Sequence, residues 1–419
     1  MNDERTIVGL DIGTNVIKVA IGKYNENNKI EIVATSSKKS SGLKNGVIVN
    51  IEQAKDAIKA AIEDVEQTAG MLVENVVVAI GGQLIQSENA SGIIPIKPNP
   101  KTNRSEVTQQ DIDRAIETAI AINHPADRSI IHVIPQNYLV DGVSIGTQSP
   151  INRIGFKLEV QVHVITASKT VIQNTRSCMS RADYFLDSVM LKTLAQTQSV
   201  CHDDELELGS VLIDLGAETT DFMVLLHGAP ISTGSVPVGQ NLVTSDISIV
   251  TGIPTAAAEK IKLEHGCCWL SGIGDDEDVI LPGVGGRPPE LIAKSQLCQI
   301  IQARVEQIFT LLKVEIRKNT SDTIPQLSGN IILTGGGALM DGIVELVQAK
   351  FKTSAVRIGI PENLGGNERE YRRADFATVI GLLQSENLIP KDKVAKKSSS
   401  NKKNSNNEGF FKRLKHTFF

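Results

Sequence analysis

Aromatic side chains are scarce in this chain, at 4% of 419 residues, with ten phenylalanines and one tryptophan. No run of about 18 apolar residues occurs, which excludes a helix that crosses a bilayer. The opening MNDERTIVGLDIG is acidic and enters a strand pattern at once. Lacking a basic n-region and an apolar h-region, it is not expected to be a secretion signal. The five cysteines (Cys178, Cys201, Cys267, Cys268 and Cys298) form no C-x-x-C pair, and neither they nor the seven histidines show the spacing of a metal-ligand set. Reduced thiols in a cytosolic protein are the expectation. The vicinal Cys267–Cys268 pair reads as structural, and the histidines as structural or surface residues.

The length exceeds what one compact core accommodates, so two or more domains are expected. The formal charge of −5 is unevenly spread. Residues 390–419 hold nine Lys and Arg against Asp392 and Glu408, a net +7, which leaves −12 on the rest. An acidic body with a basic end implies that the end meets something anionic, either nucleic acid or a lipid surface.

Two segments repeat one pattern half a chain apart. In TIVGLDIGTNVIKVAIG (6–22) an apolar strand ends at Asp11, Gly13 and Thr14 make a tight turn, and a strand leaves from Val16. In GSVLIDLGAETTDFMVLL (209–226) a strand ends at Asp214, Gly216 begins the turn, and Phe222 to Leu226 leaves. Both read as β-hairpins, and their repetition implies two similar halves. Glycine at such a turn permits φ > 0 and close approach of backbone to a ligand. Successive N–H groups then form a concavity that suits a phosphate. Thr14 and Thr219 add hydroxyls, and Lys18 can set an ammonium against the same group. Asp11 and Asp214 would hold Mg²⁺ through waters. Either hairpin alone is equally a plain turn built from Asp and Gly.

A third turn follows in NIILTGGGALMDGIVELVQAK (330–350). A buried strand, Ile331 to Leu333, enters Gly335, Gly336 and Gly337. A helix is expected from about Ala338, with Leu339, Ile343, Leu346 and Val347 at helical spacing. Three glycines in a row cost backbone entropy on ordering, and a flat ligand such as a purine lying on the backbone would justify them. Between the first two hairpins, HVIPQNYLVDG (132–142) and LEVQVHVITAS (158–168) alternate like half-buried strands, and TQQDIDRAIETAIAI (108–122) reads as an amphipathic helix capped by Thr108. A small domain inserted at about 84–165 accounts for them.

The order of two phosphate-type hairpins and a glycine-rich turn resembles the actin, Hsp70 and sugar-kinase superfamily. That resemblance implies an α/β, two-lobed, actin-like (ribonuclease-H-like) ATPase fold, a five-stranded sheet in each lobe and ATP–Mg²⁺ in the cleft. Fold alone does not choose a function. The segments GLDIGT, GLKNGVIVNIE (42–52), VVVAIGG (76–82), HVIPQNYLVDG, LEVQVHVIT, DLGAETTDF, VTSDIS (243–248), AEKIK (258–262), ILTGGGALMDGI and FATVIGLL (376–383) resemble the FtsA family of bacterial cell-division proteins, from Ile7 to about Leu383. By that resemblance Gly13, Thr14, Asn15, Lys18, Gly216, Ala217, Glu218, Thr219, Gly239, Glu259, Lys262, Gly335, Gly336 and Gly337 would contact the nucleotide, Glu259 and Lys262 at its ribose or adenine. Their spacing alone equally suits a solvated ion pair on one helix face. The expected organisation is 1–83 with 166–205 as the first lobe, 84–165 as the insert, 206–389 as the second lobe, 390–408 as a linker and 409–419 as a terminal helix. Three features depart from the family pattern: Ala217-Glu218 in the second turn, Gln240 after Gly239, and the segment TQSPINRIGF (147–156) within the insert. Glu218 would set a negative charge beside the phosphates unless it turns away, so weaker binding and slow hydrolysis at most are expected.

The end of the chain, KDKVAKKSSSNKKNSNNE then GFFKRLKHTFF, has the composition of a disordered linker followed by an amphipathic segment. On a helical wheel Phe410, Leu414, Phe418 and Phe411 share one arc, while Lys412, Arg413, Lys415 and His416 cover the other side. Such a helix suits a bilayer interface, and its roughly 16 Å cannot cross about 30 Å of hydrocarbon. The phenylalanines share a face rather than interleaving to stack on bases, so nucleic acid is not the expected partner. A terminal helix docked on its own body is the alternative. The family resemblance implies filaments of this protein, partnership with FtsZ and other divisome proteins, and a place on the cytoplasmic face of the membrane at the division site. A pilus-assembly protein and a small-molecule kinase of the same superfamily are the competing readings.

Overall fold

The computed structural model describes residues 5–26, 29–98, 105–121, 125–274, 276–286, 288–320, 330–362 and 364–385. The expected linker and the membrane-type segment with Phe410, Phe411, Lys412, Arg413, Leu414, Lys415 and Phe418 lie outside the described residues. Among the described residues no helix is long and apolar enough to cross a membrane.

Both expected hairpins form, and each seeds a sheet of one topology. In the first lobe Thr6–Ile12 pairs antiparallel with Val16–Tyr24, which pairs antiparallel with Ile30–Lys39. On its other side Thr6–Ile12 runs parallel to Asn75–Ile80, and that strand parallel to Phe185–Leu191. In the second lobe Ser210–Leu215, Thr220–Leu226 and Ala229–Val236 make the antiparallel set, and Asn330–Thr334 and Val356–Ile358 the parallel one. The parallel strands are nearly continuous apolar runs because helices cover both faces of each sheet.

Helix Ile51–Ala69 shows how local signals fix one such layer. The Asn50 side chain accepts the Gln53 N–H at 3.2 Å, and Gly70 ends the helix at φ 66°. Its buried face (Ala54, Ile58, Ala61, Ile62, Val65) packs on Leu10, Ile17, Val19 and Ile21 of the first hairpin. The second-lobe core gathers Ile213, Leu215, Phe222 and Leu333 with the buried faces of helices Gln240–Thr251, Thr255–His265, Lys294–Thr320 and Ile343–Phe351.

The insert is a four-stranded antiparallel sheet, in the order Ile85–Pro95, Lys157–Ser168, Arg128–Val140, Val143–Ser144. Helix Gln109–Ile120 lies across it, and Thr108 and Asp111 form its capping box. The helix sits so close that a Cβ at Gly92 would lie 1.9 Å from the Ala115 carbonyl. Strand Lys157–Ser168 alternates only in its first half; from Val162 to Ala167 it is buried throughout. The insert also bonds the second lobe: Ser87 Oγ donates to the Thr233 carbonyl at 2.8 Å, Gln136 Nε2 to the Pro230 carbonyl at 2.8 Å, and His163 Nε2 meets Thr233 Oγ1 at 3.0 Å. Burial pushes His163 down to about 4, so it is neutral at pH 7.

Three expectations are corrected. The first-lobe sheet has six strands rather than five, because Gly365–Gly366 adds beside Ile30–Lys39. The chain end assigned to the second lobe returns to the first: Tyr371, Phe376, Val379, Ile380 and Leu383 pack on Ile7, Ala20, Ile30 and Ile32. After the glycine turn the chain makes a 3-10 turn, Gly336–Leu339, and the helix begins at Ile343 rather than near Ala338. Leu339 therefore leaves the core and is 46% exposed, whereas Ile343, Leu346 and Val347 are buried.

Candidate functional site

The three glycine turns meet in one cleft. A cavity of about 570 Å³ between the lobes is lined by Asp11, Gly13, Thr14, Asn15, Lys18, Asp214, Gly216, Ala217, Thr219, Glu259, Lys262, Gly335, Gly336 and Gly337. That volume suits a small organic ligand. Glu218 and Gly239, also expected there, do not line it.

The glycines serve different ends. Neither Gly13 nor Gly216 takes positive φ. Their requirement is space, since a Cβ would stand 2.5 Å from the Val16 carbonyl at Gly13 and 2.7 Å from the Thr219 carbonyl at Gly216. In the third turn Gly335 has φ +82°, and its Cβ would lie 2.2 Å from Asp214 Oδ1. A Cβ at Gly337 would strike Gln240 Nε2 and Leu215 Cβ, both at 2.7 Å. Packing within the protein thus explains two of the three glycines. Gly336 alone faces open space, and it is the position where a flat ligand can lie on backbone.

Gly239 packs under the second hairpin, where a Cβ would lie 2.6 Å from the Ala217 carbonyl. From there the Gln240 and Asn241 N–H groups donate to the Gly216 and Ala217 carbonyls at 3.0 and 2.7 Å. The start of that helix therefore holds the turn in shape, and these two amides are already used. Gln240 is buried. Beside it Lys262 Nζ, also buried, bonds the Gln240 carbonyl at 3.3 Å, Thr244 Oγ1 at 2.8 Å and Glu259 Oε2 at 2.7 Å. The pair on this helix face is real, but its lysine is withdrawn from solvent, and both residues border the cavity.

Contacts across the cleft join the lobes. The amides of Asn15 and Asn241 bond reciprocally at 2.7 and 3.1 Å. The Glu218 carboxylate accepts the Asn45 N–H, in the loop between Lys44 and Val47. This turns Glu218 away from the cavity, correcting the expectation of a negative charge beside a ligand. The same loop brings the Gly46 N–H to Thr14 Oγ1 at 3.1 Å.

Lys18 is not a free ammonium. It is held by the Asp375 carbonyl at 2.6 Å and carboxylate at 2.9 Å, and lies 5.1 Å from the centre of the Phe376 ring. The residue that joins the two hairpins is one sequence reasoning missed. Lys192, first residue of helix Lys192–Val200, places its ammonium 2.8 Å from Asp214 and 3.9 Å from Asp11. Burial alone would lower this amine, but Asp11, Asp214 and Asp221 together hold it above its usual range. Asp221, opposite Asp214 in the hairpin register, was also missed. Burial and then the Asp214 charge push its carboxyl up to about 6, against the pull of Lys192. Asp221 lies within the DLGAETTDF segment but on the outgoing strand, past the turn residues that drew notice. Lys192 belongs to neither hairpin and reaches the site through strand Phe185–Leu191.

The donor set bears on the Mg²⁺ expected at Asp11 and Asp214. An ammonium already bridges those carboxylates, and among the described residues no cluster of three His, Cys, Asp or Glu side chains could hold a metal ion. These residues do not fit a directly bound divalent cation.

Two family profiles match the chain: "Cell division protein FtsA" over residues 211–381 and "SHS2 domain inserted in FTSA" over 82–166. Among relatives named "Cell division protein FtsA", that of Borreliella burgdorferi is 38% identical, covering 96% of this chain and 95% of its own length. That of Neisseria meningitidis is 39% identical, covering 91% and 90%. Solved structures share the fold. The PilM-PilN type IV pilus biogenesis complex has TM-score 0.60 at 17% identity, over 90% of this chain and 97% of that one. MreB 5 of Spiroplasma citri bound to AMPPNP has 0.55 at 14%, over 91% and 96%. The MamK double helical filament has 0.52 at 12%, over 91% and 99%.

Proposed function

Since the chain belongs to the FtsA family of cell-division proteins and has a two-lobed actin-like fold, we propose that it is the ATP-binding adaptor that ties FtsZ filaments to the membrane at the division site. The observation that carries this reading is the convergence of three sequence-distant glycine turns on one cavity of about 570 Å³. The turns at Gly13–Asn15 and Gly216–Thr219 would cradle phosphates with backbone N–H groups and the Thr14 and Thr219 hydroxyls. Gly336 would lie under the base, and Glu259 and Lys262 beside the ribose. The Asn15–Asn241 and Glu218–Asn45 contacts couple ligand occupancy to lobe closure. An AMPPNP complex among the fold neighbours supports the nucleotide, and a filament among them supports self-assembly. Slow hydrolysis at most is the expected behaviour, since the helix-start amides of Gln240 and Asn241 are spent on the Gly216 and Ala217 carbonyls and do not face a phosphate.

The membrane half of the proposal rests on sequence. Residues 410–419 would lie in the bilayer interface through Phe410, Phe411, Leu414 and Phe418, with Lys412, Arg413 and Lys415 toward anionic lipid. One such segment binds modestly and reversibly. Polymerisation multiplies the attachment by about 10²–10⁴ through avidity. Relatives named for cell division match nearly the whole chain, which favours this reading over a pilus-assembly protein or a metabolite kinase. Electron microscopy of the full chain with ATP on anionic lipid monolayers tests it. Lipid-bound filaments are expected, and their absence both with and without ATP would overturn the assembly claim. The double variant Phe410→Glu, Phe418→Glu is expected to stop sedimenting with vesicles while its body stays folded.

A further inference from the structure

Lys192 occupies the point where a divalent cation would bridge the two hairpins. Its ammonium lies between Asp214 at 2.8 Å and Asp11 at 3.9 Å, one carboxylate from each lobe. The placement is built in. Lys192 opens a helix directly after a strand buried at Met190 and Leu191, so its backbone cannot shift without moving the first-lobe sheet. Gly81 leaves room for its stem, since a Cβ there would stand 3.3 Å from Lys192 Cβ and 3.0 Å from Asp221 Oδ2. The two other ammonium groups at the cleft are engaged elsewhere, Lys18 by Asp375 and Lys262 by Glu259, so they do not compete for Asp11 and Asp214.

A metal ion held by Asp11 and Asp214, directly or through waters, would have to share these carboxylates with the ammonium or displace it. Ammonium and divalent cation therefore compete for the same pair of carboxylates. We propose that Lys192 acts as a resident cation in the metal's position, so that the cleft takes a nucleoside triphosphate with little dependence on divalent metal. This rests on the nucleotide reading of the cleft. The lysine offers three donors, enough to hold the two carboxylates and still face a phosphate oxygen. It then serves as a specificity-determining residue, letting the cleft accept a triphosphate with or without its metal.

The test is equilibrium binding of ATP to the full-length protein by calorimetry, in excess Mg²⁺ and in EDTA. For the native chain the two dissociation constants are expected to agree within about threefold. The variant Lys192→Gln, Asp221→Asn keeps the net charge of the cluster and frees Asp11 and Asp214. It is expected to bind ATP at least about tenfold more tightly with Mg²⁺ than in EDTA, the scale of a charge-assisted contact. A native protein that loses tenfold or more of its affinity in EDTA would overturn the proposal. So would a folded double variant as indifferent to metal as the native chain. If the double variant does not fold, the native pair of measurements still decides. ATP bound only with Mg²⁺ sinks the resident-cation idea alone, whereas no ATP binding in either buffer sinks the nucleotide reading with it.

Discussion

The two hairpins share one topology and differ in the charge set opposite the strand-ending aspartate. In the first, Lys18 stands opposite Asp11; in the second, Asp221 stands opposite Asp214. The first hairpin carries its own cation, and that cation is met by Asp375 from the returning end of the chain. The second sets two carboxylates face to face in a buried place, and its cation, Lys192, comes from the other lobe. Each hairpin is thus balanced from outside itself, and the cleft is charge-stitched crosswise. A repeated backbone pattern does not imply a repeated electrostatic role.

Removing the imported cation should break the comparison most severely. Lys192→Met leaves Asp11, Asp214 and Asp221 facing one another, and a loss of about 3 kcal/mol or more in urea unfolding is expected. Lys18→Met also leaves Asp375 without its lysine, but Arg373 still pairs with Asp375 at 3.1 Å, so a smaller loss is expected. Equal losses from the two would show that the hairpins are electrostatically alike after all.

The carboxylate that replaces a lysine in the second hairpin gives a pH signature of similar size. Asp221 titrates at about 6 in the fold, against an ordinary 3.8. A raised carboxyl pKa means that the folded state holds the proton more tightly than the unfolded chain does. Its contribution to stability is therefore greatest below pH 4 and is lost as pH rises from about 4 to about 6. Asp221→Asn should stabilise the protein by roughly 2–3 kcal/mol at pH 8, and the gain should fade toward pH 4. Thermal melts of both proteins across that range check it; a gain independent of pH would point to packing instead of charge.

The third turn sharpens the contrast at single-methyl resolution. Gly335→Ala meets Asp214 Oδ1 and a positive φ together, so a cost of about 2–3 kcal/mol is expected. Gly336→Ala meets open space and should change stability by less than about 0.5 kcal/mol while weakening ATP binding measurably. The smallest effect should come from the lobe-spanning amides. A double-mutant cycle on Asn15→Ala and Asn241→Ala should return a coupling of about 0.5–1.5 kcal/mol.

Much of this site is legible in the sequence. Turn glycines, strand-ending aspartates and apolar runs report short-range requirements, and they placed Asp11, Gly13, Asp214, Gly216 and Gly335–Gly337 at one cleft. What stayed illegible has a common cause. Glu218 turning to Asn45, Asp375 claiming Lys18, and Lys192 reaching both hairpins are contacts between residues distant in sequence, whose partners no local pattern names.

The sequence by itself determined the strands, the turns and their order, because periodicity and glycine placement act within a few residues. Only the tertiary structure decided which charges neutralise which, and why two of three consecutive glycines serve packing rather than a ligand. Those outcomes depend on distances of a few ångströms between segments tens to hundreds of residues apart, and Coulomb and steric energies change steeply over just that range.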